Sequence, residues 1–69
     1  MRLSTRNQLT GTVSSITEGS VNATVHVAVG DQTVTSSITM EGLRELGLTE
    51  GSPVTVLVKA TDVMLGVED

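Results

Sequence analysis

Residues 21–39, VNATVHVAVGDQTVTSSIT, predict two β-strands joined by a tight turn. Every second residue of the first half is apolar, which is the pattern of a strand that buries one face: Val21, Ala23, Val25, Val27 and Val29. Gly30 and Asp31 are residue types that suit a two-residue hairpin turn. The second strand is predicted over residues 32–39, with an inner side formed by Val34, Ser36 and Ile38.

Three further strands are predicted around this hairpin. A Thr- and Ser-rich strand covers residues 8–17, where Gly11 indicates a bulge or a sharp bend. Alternating Val residues predict a fourth strand over residues 54–59, and a fifth strand follows over residues 63–67. The β-branched side chains that dominate these segments suit a pleated, half-buried surface.

The period changes between the third and fourth strands. Met40, Leu43 and Leu46 are spaced three apart, which predicts a short helix over residues 40–46. Thr39 is placed to cap its start, and Gly47 is placed to end it. Five strands with this one helix predict an all-β fold with one short helix, a five-stranded OB-like barrel. No linker or repeat interrupts it, so residues 1–69 form a single domain.

The composition excludes several classes of protein. The chain has 69 residues, no Cys, no aromatic residue, one His and a formal net charge of −4. Disulfides and Cys-ligated zinc are therefore excluded, and nucleic-acid binding is disfavoured because neither stacking rings nor a basic surface is present. No apolar run approaches the roughly 18 residues of a membrane-spanning helix, and none follows the N-terminus as in a signal peptide. We expect a cytoplasmic protein with no membrane or nucleic-acid partner.

No catalytic constellation is visible in the sequence. His26 lies mid-strand among Val residues, which favours a solvent-facing or interface role over that of a general base. The acidic residues are scattered, mostly at turns and on the helix, as on an ordinary solvated surface. We therefore expect no enzymatic activity and no metal ion ligated directly by side chains.

The few cations stand beside short hydrogen-bond donors. Ser4 and Thr5 precede Arg6, Lys59 precedes two small residues at the end of a strand, and Thr39 lies at a predicted helix N-terminus. Many donors with one or two positive charges suit a small tetrahedral oxyanion. The alternative is that these are turn and cap residues with ordinary surface cations, and the residue types alone leave both interpretations open.

Four segments, in order, resemble one family. STRNQLTG at residues 4–11 is similar to the S-A-R-N-Q-L-x-G opening of the Mop-like molybdate-binding proteins, the molbindins, whose domain is of the TOBE type. EGSVNATV at residues 18–25 is similar to its E-G-x-V-N-A-E-V stretch, and KATDVM at residues 59–64 to its K-A/S-T-D-V-M. Ile38-Thr39 followed by LGL and EG at residues 46–51 is similar to I-T/S…L-G-L-x-E-G.

The resemblance implies a cytoplasmic protein for molybdenum storage and homeostasis. Its ligand would be molybdate or tungstate, with no cofactor, held between subunits of a hexamer built as a trimer of dimers. Carried over by position, Ser4 and Arg6 would contact the oxyanion by side chain, and Thr5 by its N–H. Lys59 would supply charge, and Ala60 a second backbone N–H.

The remaining donors include one position at which this chain differs from the family pattern. Thr39 would add a hydroxyl, supplied by a neighbouring subunit. Related sequences often carry Ser three residues further on, where this chain has Gly42, so one hydroxyl is lost and only an N–H is offered. Asn22 is the candidate for a second anion site near a symmetry axis. An alternative function is a structural or protein-interaction module whose anion pocket has degenerated, with Gly42 as its first sign.

Overall fold

A computed structural model describes residues 4–68. Within that range the chain forms four β-strands, one α-helix and one short 3₁₀ helix. In chain order these are β1 Asn7–Glu18, β2 Asn22–Val29, β3 Gln32–Thr39, α1 Met40–Leu46, β4 Pro53–Val58 and the 3₁₀ helix Ala60–Asp62. The coarse prediction, mostly β with one short helix, is confirmed.

The strands form one antiparallel sheet in the order β3-β2-β1-β4. The predicted hairpin is confirmed: Val29 pairs with Gln32, and Gly30 adopts a positive φ of 61° in the turn. The long strand β1 pairs with β4 through its first half and with β2 through its second half. Strand β1 therefore connects β4 to the β2–β3 hairpin, and β3 and β4 are the edge strands of the sheet.

The bulge lies at a different residue from the one predicted. The register of β1 against β2 shifts between Val13 and Ser15, so the irregularity falls there and not at Gly11. Gly11 is instead a point of close approach, because a Cβ built on it would lie 2.7 Å from the carbonyl oxygen of Ala28. The sequence marked a special backbone position correctly, but only the pairing register shows which kind.

The helix α1 begins and ends at the predicted residues. The Thr39 hydroxyl oxygen accepts a hydrogen bond from the Gly42 N–H at 3.0 Å, which caps the first turn. Gly47 follows the helix with φ 64°, and its N–H donates to the Arg44 carbonyl, as in a left-handed helix end. No helix within residues 4–68 is long and apolar enough to cross a membrane.

The core lies between one face of the sheet and α1. Its fully buried members are all aliphatic: Val13, Ala23, Val25, Val27, Met40 and Leu43. The alternation predicted for the hairpin is thus confirmed except at its first position, since Val21 lies outside β2 and is 68% exposed. Leu43 and Met40 are the side chains by which α1 closes this small core.

The predicted fifth strand is absent from this structure. Residues 63–67 pair with no other strand, and the side chains of Met64, Leu65 and Val67 are 93%, 93% and 91% exposed. After β4 the chain forms the 3₁₀ helix, in which the Asp62 N–H donates to the Lys59 carbonyl at 2.9 Å. The segment has a strand-like sequence, but a strand forms only where an edge receives it.

Candidate oxyanion site

The start of β1 and the end of β4 meet at one corner of the sheet. Asn7 pairs with Val58, and the Asn7 side-chain amide donates to the Val58 carbonyl at 3.2 Å. Arg6 directly precedes Asn7 and Lys59 directly follows Val58, so each lies next to this last strand pair. Two predicted site residues that are more than fifty positions apart in the chain therefore flank the same corner, and both are exposed.

The backbone around this corner offers further donors. Ser4 is exposed, and the Gln8 side chain holds the Thr5 carbonyl at 3.1 Å. Ala60 opens the 3₁₀ helix that follows β4, where the first N–H groups have no acceptor within the helix. Two positive charges, a hydroxyl and free N–H groups can neutralise and orient a doubly charged oxyanion without any metal ligand.

The Thr5 side chain has a feature that the prediction did not include. Its hydroxyl oxygen is buried and has no hydrogen-bond partner within residues 4–68. A buried polar atom without a partner costs free energy and calls for an explanation. The prediction assigned Thr5 only a backbone contact, and this buried hydroxyl has no assigned role.

The other predicted donors lie together at the far end of β1. Thr39 ends β3 directly opposite Asn22 in β2, which itself follows the turn after Glu18. Because the Thr39 oxygen already accepts from Gly42, its hydroxyl proton remains available to donate outward. The Gly42 N–H is occupied by the same bond, so its predicted contact to an anion requires sharing that hydrogen bond.

The Arg6–Lys59 corner and the group formed by Thr39, Asn22 and Gly42 cannot together hold one small anion within a single chain. They stand at opposite ends of the 12-residue strand β1. If β1 were bent by a right angle at its middle, its two parts of five and six residue steps would span about 17 and 20 Å. The two ends of the strand would then lie about 26 Å apart. A tetrahedral oxyanion measures only a few ångströms, so a site that uses both groups needs two copies of the chain.

Two surface depressions of the single chain lie away from the predicted oxyanion-binding residues. One, of about 470 Å³, lies beside α1 and β1, and another, of about 320 Å³, lies between the edge strands. None of the residues predicted to hold an oxyanion lines either of them. Within residues 4–68, no group of three or more His, Asp or Glu side chains is arranged to hold a metal ion.

His26 is half-buried on the outer face of the sheet. Its Nδ1 lies 3.1 Å from the Thr35 hydroxyl of the neighbouring strand, and its carbonyl accepts from the Ser14 hydroxyl at 3.1 Å. These are cross-strand contacts of a sheet surface, as the sequence predicted.

Comparison with known proteins assigns the family. The family model described as TOBE domain matches residues 3–65. The chain belongs to the TOBE domain family. A probable molybdenum-pterin-binding protein of Haemophilus influenzae is 48% identical to it over 69 residues, which cover 99% of this chain and 100% of that protein. The resemblance to Mop-like proteins is confirmed.

Two solved structures share the fold of this TOBE domain. A molybdate-binding protein from Sporomusa ovata superposes with a TM-score of 0.92 at 34% identity, over 97% of this chain and 100% of that one. The cytoplasmic molybdate-binding protein ModG, in a form with molybdate bound, superposes with a TM-score of 0.92 at 46% identity. The match covers 99% of this chain and 49% of ModG, so this TOBE domain spans about half of that chain.

Sequence reasoning passed over one residue that organises the site. Asn7 lies within the STRNQLTG segment, yet it was assigned no role. Its amide donates to the carbonyl of Val58 and so joins the residue after Arg6 to the residue before Lys59. An amide side chain at the start of a strand was the available signal, because such a group often bonds to the backbone.

Proposed function

We propose that this TOBE domain is a non-catalytic binding protein for molybdate or tungstate, active in molybdenum storage and homeostasis in the cytoplasm. The anion is held between subunits of a hexamer, a trimer of dimers. The observation that carries the proposal is the convergence of Arg6 and Lys59 at one corner of the sheet. The names of the related proteins, which are molybdate-binding or molybdenum-pterin-binding, support the choice of ligand.

Each donor has a distinct task in the proposed site. Arg6 and Lys59 balance the two charges of the anion, and Ser4 donates its hydroxyl to one oxygen. The N–H groups of Thr5 and Ala60 complete the corner. Thr39 of a second subunit closes the site with its free hydroxyl proton, and Asn22, its cross-strand neighbour, is the candidate for a second anion site.

The hydrogen-bond donors of the proposed site must overcome the repulsion between the anion and the net negative charge of the protein. The formal net charge of −4 per chain repels anions at long range, an effect that falls off over about 8 Å at physiological ionic strength. Binding therefore depends on desolvated, charge-assisted hydrogen bonds formed when two subunits enclose the anion. Enclosure between subunits also makes cavity size and donor number the basis of selection against smaller oxyanions such as sulfate.

Alanine substitutions at the two cations test the site. Arg6→Ala and Lys59→Ala should each weaken molybdate binding by about 10- to 100-fold, because a charge-assisted hydrogen bond contributes about 1.5–3 kcal/mol. Isothermal titration calorimetry with molybdate measures the change, and sulfate serves as the ligand control. Arg44→Ala, which removes a cation from the exposed side of α1, should bind like the parent protein. Parent-like binding by both Arg6→Ala and Lys59→Ala would refute the site.

A mixing experiment tests whether two chains build one site. Arg6→Ala and Thr39→Ala chains each carry a defect in every shared site when assembled alone. Refolded together, they form mixed assemblies in which some sites combine an intact corner with an intact Thr39. Native mass spectrometry should then detect molybdate uptake that neither variant shows by itself. Failure to regain uptake in mixed assemblies would contradict a site shared between subunits.

Gly42 supports a second candidate function, a structural or protein-interaction module that has lost anion binding. The position offers no hydroxyl, and its N–H is occupied by the Thr39 cap. This alternative predicts the same assembly with no molybdate uptake and a stable protein partner. Native mass spectrometry with and without molybdate separates the two functions, since only the first predicts a mass increase on addition of the anion.

The five-stranded barrel belongs with these proposals. Residues 4–68 contain four strands, and we propose that the sheet closes into an OB-like barrel only when a fifth strand joins it.

A further inference from the structure

Thr5 carries the one side-chain polar atom within residues 4–68 that is buried and has no hydrogen-bond partner. This atom is the hydroxyl oxygen Oγ1, and the residue is half-buried, whereas its chain neighbours Ser4 and Arg6 are exposed. A hydroxyl can donate one hydrogen bond and accept others, and in water it does both. Burial without a partner therefore costs free energy, and a ligand that pairs with this hydroxyl would recover that cost.

The backbone around Thr5 is held by two side-chain amides. The Gln8 amide donates to the Thr5 carbonyl at 3.1 Å, and the Asn7 amide donates to the Val58 carbonyl at 3.2 Å. The first bond joins the segment before β1 to β1 itself, and the second joins β1 to β4. A Thr side chain has one torsion that moves its oxygen, χ1, with three staggered positions. The hydroxyl can therefore be turned to a new partner while the backbone stays in place.

The Thr5 N–H is a second donor of the same residue. It donates to no backbone carbonyl within residues 4–68. In two of the three staggered χ1 positions, the hydroxyl oxygen of a Thr lies about 3 Å from its own backbone nitrogen. A ligand that accepts from the N–H is then also within hydrogen-bond reach of the hydroxyl, so Thr5 can offer two donors to one ligand.

A small oxyanion suits these two donors. It has only acceptor oxygens, and its charge strengthens each hydrogen bond that it accepts. A hydrogen bond to a ligand usually contributes little, because the donor gives up a bond to water. The Thr5 hydroxyl oxygen is buried from solvent and has no such bond to give up, so pairing with an anion should contribute more than usual. Arg6, the next residue, supplies a positive charge beside it.

The second subunit of the proposed site offers few hydroxyl donors. Gly42 has no side chain, and its N–H already donates to the Thr39 hydroxyl oxygen at 3.0 Å. The Thr39 hydroxyl proton is then the free donor of this pair. A further hydroxyl from the corner formed by Arg6 and Lys59 would increase the number of donors around the anion.

We infer that the Thr5 hydroxyl is a further anion-binding group, which turns about χ1 and donates to an oxygen of the bound oxyanion. The inference rests on the proposed oxyanion function and deepens it. The hydroxyl has no partner in the anion-free chain and gains one when the anion binds. Thr5 therefore lowers the stability of the empty protein and raises the affinity for its ligand.

Exchange of the hydroxyl for a methyl group tests the contact. Thr5→Val keeps the shape of the side chain and the backbone N–H, and it should weaken molybdate binding by about 10-fold or more. Thr5→Ser keeps the hydroxyl and should bind within about threefold of the parent protein. Thr10→Val makes the same exchange at an exposed position of β1 and should also bind like the parent. Isothermal titration calorimetry measures all three, and parent-like binding by Thr5→Val would overturn the inference.

The thermal stability of the anion-free protein distinguishes binding from a structural role. Without molybdate, the Tm of Thr5→Val should equal or exceed that of the parent, because a buried methyl group needs no partner. A hydroxyl with a structural partner would give the opposite result, a lower Tm. Scanning calorimetry at fixed protein concentration measures it. A lower Tm for Thr5→Val would show that the hydroxyl is already paired without the anion and would overturn the inference.

The parent protein and Lys59→Ala separate this inference from the proposed function. No molybdate binding by the parent would refute the proposed function, and the inference with it. Binding by the parent that is weakened in Lys59→Ala but unchanged in Thr5→Val would leave the proposed function standing and overturn the inference alone. Weakened binding in both variants, with parent-like binding by Thr5→Ser, is the expected result.

Discussion

Thr39 has one role in the stability of α1 and a second, proposed role in anion binding. Its oxygen accepts from the Gly42 N–H and caps α1, and its proton is free for an anion. A substitution that removes the side chain therefore confounds the two roles. A substitution that keeps a capping oxygen but adds a negative charge separates them.

Thr39→Ala and Thr39→Asp should behave differently. Alanine removes the cap and should lower the free energy of unfolding by about 1 kcal/mol. Aspartate keeps a capping oxygen and suits the positive end of the helix dipole, so stability should be retained, but its charge should abolish molybdate binding. Urea unfolding measures stability and calorimetry measures binding. Parent-like molybdate binding by Thr39→Asp would exclude Thr39 from the site.

Gly42→Ser should strengthen molybdate binding severalfold by restoring a hydroxyl. A Cβ at this position would lie 3.2 Å from the Thr39 hydroxyl oxygen, so the cap has to shift by a few tenths of an ångström. Gly42→Ala introduces the same Cβ without the hydroxyl and serves as the matched control. Calorimetric affinities of the two variants should differ in favour of Ser; equal affinities would show that no donor is needed at this position.

At the scale of elements, α1 is stabilised by packing more than by its length. A seven-residue helix is too short to be stable alone in water. Met40 and Leu43, each 6% exposed, attach it to the sheet, and the two ends are closed by Thr39 and Gly47. The position of Thr39 therefore depends on the core contacts of the helix that it caps.

Leu43→Ala should reveal this dependence. Removing a buried Leu side chain typically lowers the free energy of unfolding by about 2–5 kcal/mol. Glu45→Ala, on the exposed side of the same helix, should change it by less than about 0.5 kcal/mol. Chemical denaturation monitored by far-ultraviolet circular dichroism measures both. A loss below 1 kcal/mol for Leu43→Ala would contradict the packing described for α1.

At the scale of the whole molecule, the core is small and entirely aliphatic. Within residues 4–68, six residues are buried, and the side chains of Met64, Leu65 and Val67 are exposed. Domains of this size rely on association or other constraints to supplement a small core. The proposed oxyanion site shared between subunits is one way in which assembly would supplement this core.

Molybdate should therefore stabilise the assembled protein. A ligand that binds only the folded assembly adds about 2.7 kcal/mol per site at a free concentration one hundred times its Kd. The Tm should rise with molybdate and stay unchanged with sulfate, and at the same molybdate concentration the rise should fall to about half or less in Lys59→Ala. Scanning calorimetry at fixed protein concentration measures these shifts. An equal rise with sulfate would indicate a general salt effect and contradict a specific site.

The sequence predicted the local elements well because their causes are local. Alternating side chains of the hairpin, the spacing of Met40, Leu43 and Leu46, and the cap residues around them all act within a few positions. The bulge was misplaced at Gly11, and Val21 was wrongly assigned to the buried face. Both depend on which strand lies opposite, and no pattern within a single segment specifies that partner.

For the candidate site too, the sequence determines some features and the tertiary structure determines others. Its residue types, and the order of the motifs that contain them, are properties of the sequence. Their arrangement is not: the register of β1 with β4 pairs Asn7 with Val58 and so places the neighbouring Arg6 and Lys59 at one corner, and the length of β1 separates both from Thr39. The alternation in residues 63–67 is likewise present in the sequence, whereas the lack of a partner for them is visible only in three dimensions. Side-chain chemistry is carried by each residue alone, but pairing between distant segments depends on the balance of all the contacts in the folded chain.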